Sequence, residues 1–182
     1  WFTAEDFRPR AFPLRRILMP WAKPASAGPP QTFERIVPEI AGGDWNRGHQ
    51  VFLSETAACF KCHRLGSEGG MIGPDLSNLI HRDYASVLKD IIQPSAAINP
   101  DHITYNIDLA DGSSASGVVL AATPEKITLG QVTGASVEVS KSKISRMKSS
   151  AVSLMPEGLF QALSASQQKD LMTFLLTEPS KT

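Results

Sequence analysis

The sequence predicts a mainly α domain interrupted by a small antiparallel β sheet or barrel, α+β overall. Three observations carry this reading. Within residues 44–182, apolar residues recur at helical spacing near both ends, behind residues that cap helices well. Between 102 and 148 the pattern changes to alternation, the period of a half-buried strand. Residues 1–43 show neither pattern and hold seven of the 13 prolines and two of the three tryptophans. They read as a Pro-rich N-terminal arm or linker.

The elements follow in chain order. Asp44 is a plausible N-cap for a helix to about Ser54, with Val51 and Phe52 on its buried side. Gly48 is costly inside a helix, which suggests close approach of another element. A loop with Gly66, Gly69, Gly70 and Gly73 ends in Gly73-Pro74-Asp75-Leu76. Asp83 caps a second helix to about Gln93, with Val87, Leu88, Ile91 and Ile92 as its apolar face and Pro94 as its stop. Five strands are then marked by Ile103, Tyr105, Ile107 and Leu109; by Val118 and Leu120; by Ile127 and Leu129; by Val137 and Val139; and by Ile144 with Met147. Asp111-Gly112 and Thr133-Gly134 supply turns. Pro156 opens a short helix to about Leu163. Ser164 and Gln167 form a capping box for a last helix to about Thr177.

Composition narrows the function. The chain has 182 residues, 42% of them hydrophobic, enough for one domain with an insert. The 18 Lys and Arg balance 18 Asp and Glu, which argues against nucleic acid or an anionic membrane as the main partner. No apolar run reaches the length of a transmembrane helix. Two cysteines exclude a disulfide-rich scaffold and a four-cysteine metal site within the chain. The opening residue is Trp1 rather than methionine, which reads as a piece of a larger or processed protein.

Both cysteines lie in Cys59-Phe60-Lys61-Cys62-His63. This C-x-x-C-H string is the attachment signal for c-type haem. Two thiols three positions apart can each reach one vinyl group of the porphyrin and form a thioether. The adjacent imidazole supplies the proximal iron ligand. The expectation is one covalently attached haem c, with Cys59 and Cys62 as anchors and His63 on the iron. Other uses of C-x-x-C fit less well. A redox dithiol needs thioredoxin-like βαβ surroundings, whereas a helix-like segment precedes this motif and a Gly-rich loop follows it. Zinc would need two further ligands, and no second Cys/His pair follows. A plain structural disulfide is the last alternative.

A low-spin electron carrier needs a sixth iron ligand, usually Met or His. Met155 is the first candidate. It precedes Pro156, so its backbone is pushed toward extended geometry, as suits a loop residue reaching over the ring. His102 and His81 come next and Met71 after them, only eight residues beyond His63. Met19 sits in the arm, Met147 on a predicted strand among basic residues, and Met172 inside the last helix. His49 reads as an ordinary surface or core histidine. Arg82, Arg64 and Trp45 are candidate partners for the porphyrin carboxylates.

These strings together resemble a class I cytochrome c. In such proteins the proline carbonyl accepts a hydrogen bond from the proximal imidazole, and Pro74 is the matching residue. Leu76 would pack on the macrocycle. The resemblance implies a cytochrome c fold, with the first and last helices crossing so that Gly48 and Phe52 lie near Phe174 and Leu175. A closer resemblance is to the haem-binding domain at the C-terminal end of large predicted dehydrogenases of planctomycete and verrucomicrobial bacteria. It is carried by Gly43-Asp44-x-x-Arg47-Gly48-x-x-Val51-Phe52, Cys59 through Arg64, Gly69-Gly70-x-Ile72-Gly73-Pro74-Asp75-Leu76, Ile92-x-Pro94-Ser95, Tyr105, and Ser153-Leu154-Met155-Pro156-Glu157-Gly158-Leu159. It covers about residues 42 to 178.

The resemblance implies a domain organisation and a function. Residues 44–182 would be a cytochrome c domain interrupted by the β insert at 102–148. It would carry electrons rather than act as an enzyme, from a dehydrogenase domain or partner to a cytochrome or oxidase. The alternative is a haem-based ligand sensor or haem enzyme with a labile distal ligand. C-type haem is joined outside the cytoplasmic membrane, so the resemblance implies a periplasmic or other extracytoplasmic location in a bacterium, with a signal peptide upstream of Trp1. The β insert is either a docking platform or a lid that carries Met155 into place.

Overall fold

Asp44 opens the first helix as an N-cap, its carboxylate accepting from the Arg47 amide at 2.7 Å. Helix α1 runs Trp45–Phe52. It crosses the last helix, α4 (Ala165–Leu176), which starts at the Ser164/Gln167 capping box. The crossing is close because Gly48 has no side chain. A Cβ there would collide with the Asp170 carbonyl and lie 2.7 Å from the Phe174 Cβ. Phe52 and Phe174 rings sit 5.3 Å apart, and Trp45 meets Phe174 edge-on at 4.9 Å. Asp170, on the α4 side of the crossing, accepts from the Asp44 amide at 2.8 Å and from Arg47 Nε at 2.7 Å.

The structure is a computed structural model that describes residues 36–179. Residues 1–35 of the Pro-rich arm, Met19 among them, lie outside the described residues. From Val37 onward the chain packs as one unit. The domain therefore begins before Asp44: Ile40, in a turn of 3-10 helix at Pro38–Ile40, is buried in the helical core. Between α1 and α4 come a single helical turn, α2 (Cys59–Cys62), a two-residue hairpin of β1 (Arg64–Leu65) and β2 (Glu68–Gly69), and α3 (Tyr84–Ile92) capped by Asp83. Among the described residues no helix is long and apolar enough to cross a membrane.

The insert is a five-stranded antiparallel sheet. Its strands are β3 (Thr104–Leu109), β4 (Ser114–Ala122), β5 (Lys126–Gly130), β6 (Ser136–Ser140) and β7 (Ile144–Ser149). Their order is β6-β5-β4-β3-β7, so the last strand returns to pair with the first. Ile107, Ile127, Leu129 and Val139 form its own buried core. A second core, around Phe52, Met172, Phe174 and Leu175, joins the helices.

Two expectations are corrected. The chain is not mainly α and does not adopt a mainly-α cytochrome c fold. Among the described residues 31% are helical and 24% lie in strands. The helices are short, the longest having 12 residues, and the sheet has a core of its own. The helix expected from Pro156 to Leu163 is also absent, and turns take its place. Gly158 adopts a left-handed φ of 87°, which breaks helical geometry two residues after the proline.

The crossing yields two expected outcomes. Gly48→Ala should lower stability by about 1–3 kcal/mol, as overpacking of a close interface does, read as a fall in Tm. Arg47 holds the Asp170 carboxyl below the usual carboxylate range. A folded-state pKa below the unfolded one adds stability above the unfolded value, lost as pH falls through the folded one. Asp170→Asn should therefore lower Tm at neutral pH and flatten its decline in acid.

Candidate functional site

Ala58 is the one non-glycine residue with positive φ among those described, at 51°. Such a conformation costs a non-glycine residue roughly 1–2 kcal/mol. It lets the chain reverse after α1, with the Ala58 amide bonded to the Ser54 carbonyl at 2.8 Å, and start α2 at the edge of a cavity. One helical turn sets Cys59 and Cys62 on the same face. The cavity is about 450 Å³, and Cys59, Cys62, His63, Pro74, Leu76 and Met155 all line it. The structure thus brings these six predicted residues together. The volume falls within the range of roughly 300–1,000 Å³ usual for ligand and cofactor pockets.

His63 is oriented by its neighbours. Its Nδ1 lies 2.8 Å from the Pro74 carbonyl oxygen. A carbonyl only accepts, so Nδ1 carries the proton and Nε2 keeps a lone pair. Burial pushes the His63 pKa down despite the opposing pull of that carbonyl, and nearby His102 pushes it the same way. The ring is therefore neutral, the form that can ligate a metal. Gly73 presses against it: a Cβ there would come within 2.5 Å of Cε1 and 2.8 Å of Nδ1.

The thiols are not set up for redox exchange. Burial pushes Cys59 up to about 11 and raises Cys62 as well. A reactive dithiol needs the opposite shift. Among the described residues no three His, Cys, Asp or Glu side chains converge as a metal-binding group, so Cys59, Cys62 and His63 do not form a zinc-like cluster.

Met155 is held by two serines. Its amide donates to Ser153 Oγ at 3.2 Å, and the Ser153 amide donates to Ser95 Oγ, also at 3.2 Å, just past α3. Of the other described methionines, Met71 and Met147 are exposed and Met172 is buried in the helical core. His49 bonds Glu68 at 2.6 Å and stacks on Phe174, and His81 is exposed. His102 lines the cavity, and its Nδ1 is buried without a hydrogen-bond partner. Leaving such a nitrogen unsatisfied costs about 1–3 kcal/mol.

Arg82 also lines the cavity, bonding Asp90 at 2.7 Å and Ser86. Arg64 pairs instead with Asp75, and the Trp45 indole N–H donates to the Thr177 carbonyl. The sheet contributes Val118 and Val132 to the cavity wall. Its β5–β6 turn abuts α2, where a Cβ on Gly134 would lie 2.9 Å from the Lys61 Cβ. Sequence reasoning offered the insert as a lid but assigned no role to Ser95 or Ser153 and did not say which residues of the insert face the cavity. A serine two residues before Met155 is a local signal for such a turn, whereas nothing in a strand's alternation says which outward residue meets another element.

The chain matches no protein-family model and no curated protein.

Gly73→Ala should push the His63 ring off Pro74. In an NMR titration the His63 pKa should then fall further below its ordinary value, because the bond that raises it is lost while burial is kept.

Proposed function

We propose that this chain is a monohaem c-type electron-transfer domain. What supports the reading is one arrangement: a neutral His63 with Nε2 left unprotonated, in the same cavity as two neutral thiols and the Met155 side chain. Cys59 and Cys62 would anchor the porphyrin as thioethers, and His63 and Met155 would hold the iron. Bound there, haem supplies a reversible one-electron couple. Pro74 fixes the imidazole and strengthens it as a donor. Ser95 and Ser153 fix the loop that presents Met155. Leu76, Leu171 and Leu175 give the cavity apolar walls that keep water away, and Arg82 is placed to meet a porphyrin carboxylate. With His63 and Met155 both holding the iron, no position would be left open to a substrate, so the domain would carry electrons rather than transform a substrate at the metal. The donor is a dehydrogenase domain or partner and the acceptor a cytochrome or oxidase. The location is extracytoplasmic, in the bacterial periplasm.

The chain, produced in cells that mature c-type cytochromes, should gain the mass of one haem, and Cys59→Ala/Cys62→Ala should gain none. The haem-loaded protein should show the far-red band of a thioether on ferric iron, and Met155→Ala should abolish it. An unmodified mass, or a band that survives Met155→Ala, overturns the corresponding assignment.

A further inference from the structure

We infer that His102 is a reserve iron ligand, lining the same cavity as Met155 and able to hold the iron when the Met155 sulfur leaves it. This rests on the haem reading above. Three observations carry it. First, His102 Nδ1 and Thr104 Oγ1 are the two buried side-chain atoms without a hydrogen-bond partner among the described residues, and they lie two positions apart. Second, His63 and His102 are the two described histidines that line the cavity. The other two lie elsewhere, His49 bonded to Glu68 and His81 exposed.

Third, the topology sets His102 and Met155 on the two chain segments that flank one strand pairing. Strands β3 and β7 are the first and last of the insert, and they pair with Tyr105 opposite Ser149. The pairing is sealed by the Ser150 amide donating to the Thr104 carbonyl at 2.8 Å. His102 lies just before this neck, on a 3-10 turn capped by Asn99, and Met155 lies just after it. One chain thus enters the sheet past an imidazole and leaves it past a thioether, both on the cavity.

The exchange balances without electron transfer. Met155 would release the iron and His102 would hold it through a ring nitrogen, one lone-pair donor replacing another with no change of oxidation state. Imidazole in place of methionine lowers the potential and favours the ferric state. His102 would therefore give the domain a second, low-potential form and keep its iron closed to outside ligands.

The test compares haem-loaded wild type, Met155→Ala, His102→Gln and the double variant by electron paramagnetic resonance and carbon monoxide binding. His102→Gln should keep the thioether band. Met155→Ala should lose it yet stay low-spin, with the signature of two imidazoles. The double variant should turn high-spin and bind carbon monoxide at least about tenfold more tightly than Met155→Ala, because an internal ligand occupying the site about nine-tenths of the time weakens binding by that fraction. Met155→Ala that is already high-spin and binds as tightly as the double variant overturns the inference. An imidazole serving only a porphyrin carboxylate would give that result. A wild type that carries haem but lacks the thioether band overturns the Met155 assignment and the reserve role together. A wild type without covalent haem overturns the underlying reading instead.

Discussion

The hydrogen bond from His63 Nδ1 to the Pro74 carbonyl is the contact on which the site depends. It selects the tautomer, and the tautomer decides which nitrogen keeps its lone pair. For the bond to form, the chain must return from Cys62 to Pro74 within 12 residues. It does so by winding onto the attachment turn. The Gly70 amide reaches the Phe60 carbonyl, the Ile72 and Gly73 amides share the Cys62 carbonyl, and the Leu76 amide reaches Arg64. Outside, Arg64 pairs with Asp75, whose carboxyl the Ser77 and Arg64 bonds hold down to about 2. That carboxylate is charged at neutral pH, where the loop's outer latch is therefore closed.

The two cores meet the cavity from different directions. Leu171 and Leu175 project from α4 into its wall, so the close crossing at Gly48 sets how far that wall advances. The sheet has its own apolar centre and touches the site through its neck, through Val118 and Val132, and through the turn beside Lys61. Helices thus hold the His63 side, and the insert's two ends deliver the Met155 side. The sheet also reaches the His63 side, where Gly134 lies against Lys61 and Gly130 against Ile72.

Much of this was legible in the residues. Asp44, Asp83 and Ser164 cap their helices as read, because a cap is a local bond within three positions. The five strands appear where alternation placed them, and Gly48 marks a real crossing. The errors have physical causes. Thr104, not Ile103, is buried at the start of β3, because the strand begins at Thr104 and Ile103 precedes it. Pro156 suggested a helix, but Gly158 in left-handed geometry overrode it. Counting helices by their caps also overstated their share, since short helices and a long sheet leave comparable fractions. The six predicted site residues each belong to a short string whose chemistry is local, and they line one cavity together with His102, the next candidate for the sixth ligand.

The burial of the thiols separates the two chemistries open to a C-x-x-C pair. A dithiol that exchanges disulfides works through a thiolate, stabilised by exposure, positive charge or a helix end. Here α2 is one turn long, and Cys59 is buried enough to be pushed up to about 11. Lys61 favours the Cys62 thiolate but loses to burial, and its ammonium is engaged by Glu55. The same burial carries no penalty for a thioether, which is neutral, apolar and without a proton to lose. A cavity wall that suppresses the first reaction is a natural resting place for the product of the second. That asymmetry favours covalent attachment over redox exchange at Cys59 and Cys62.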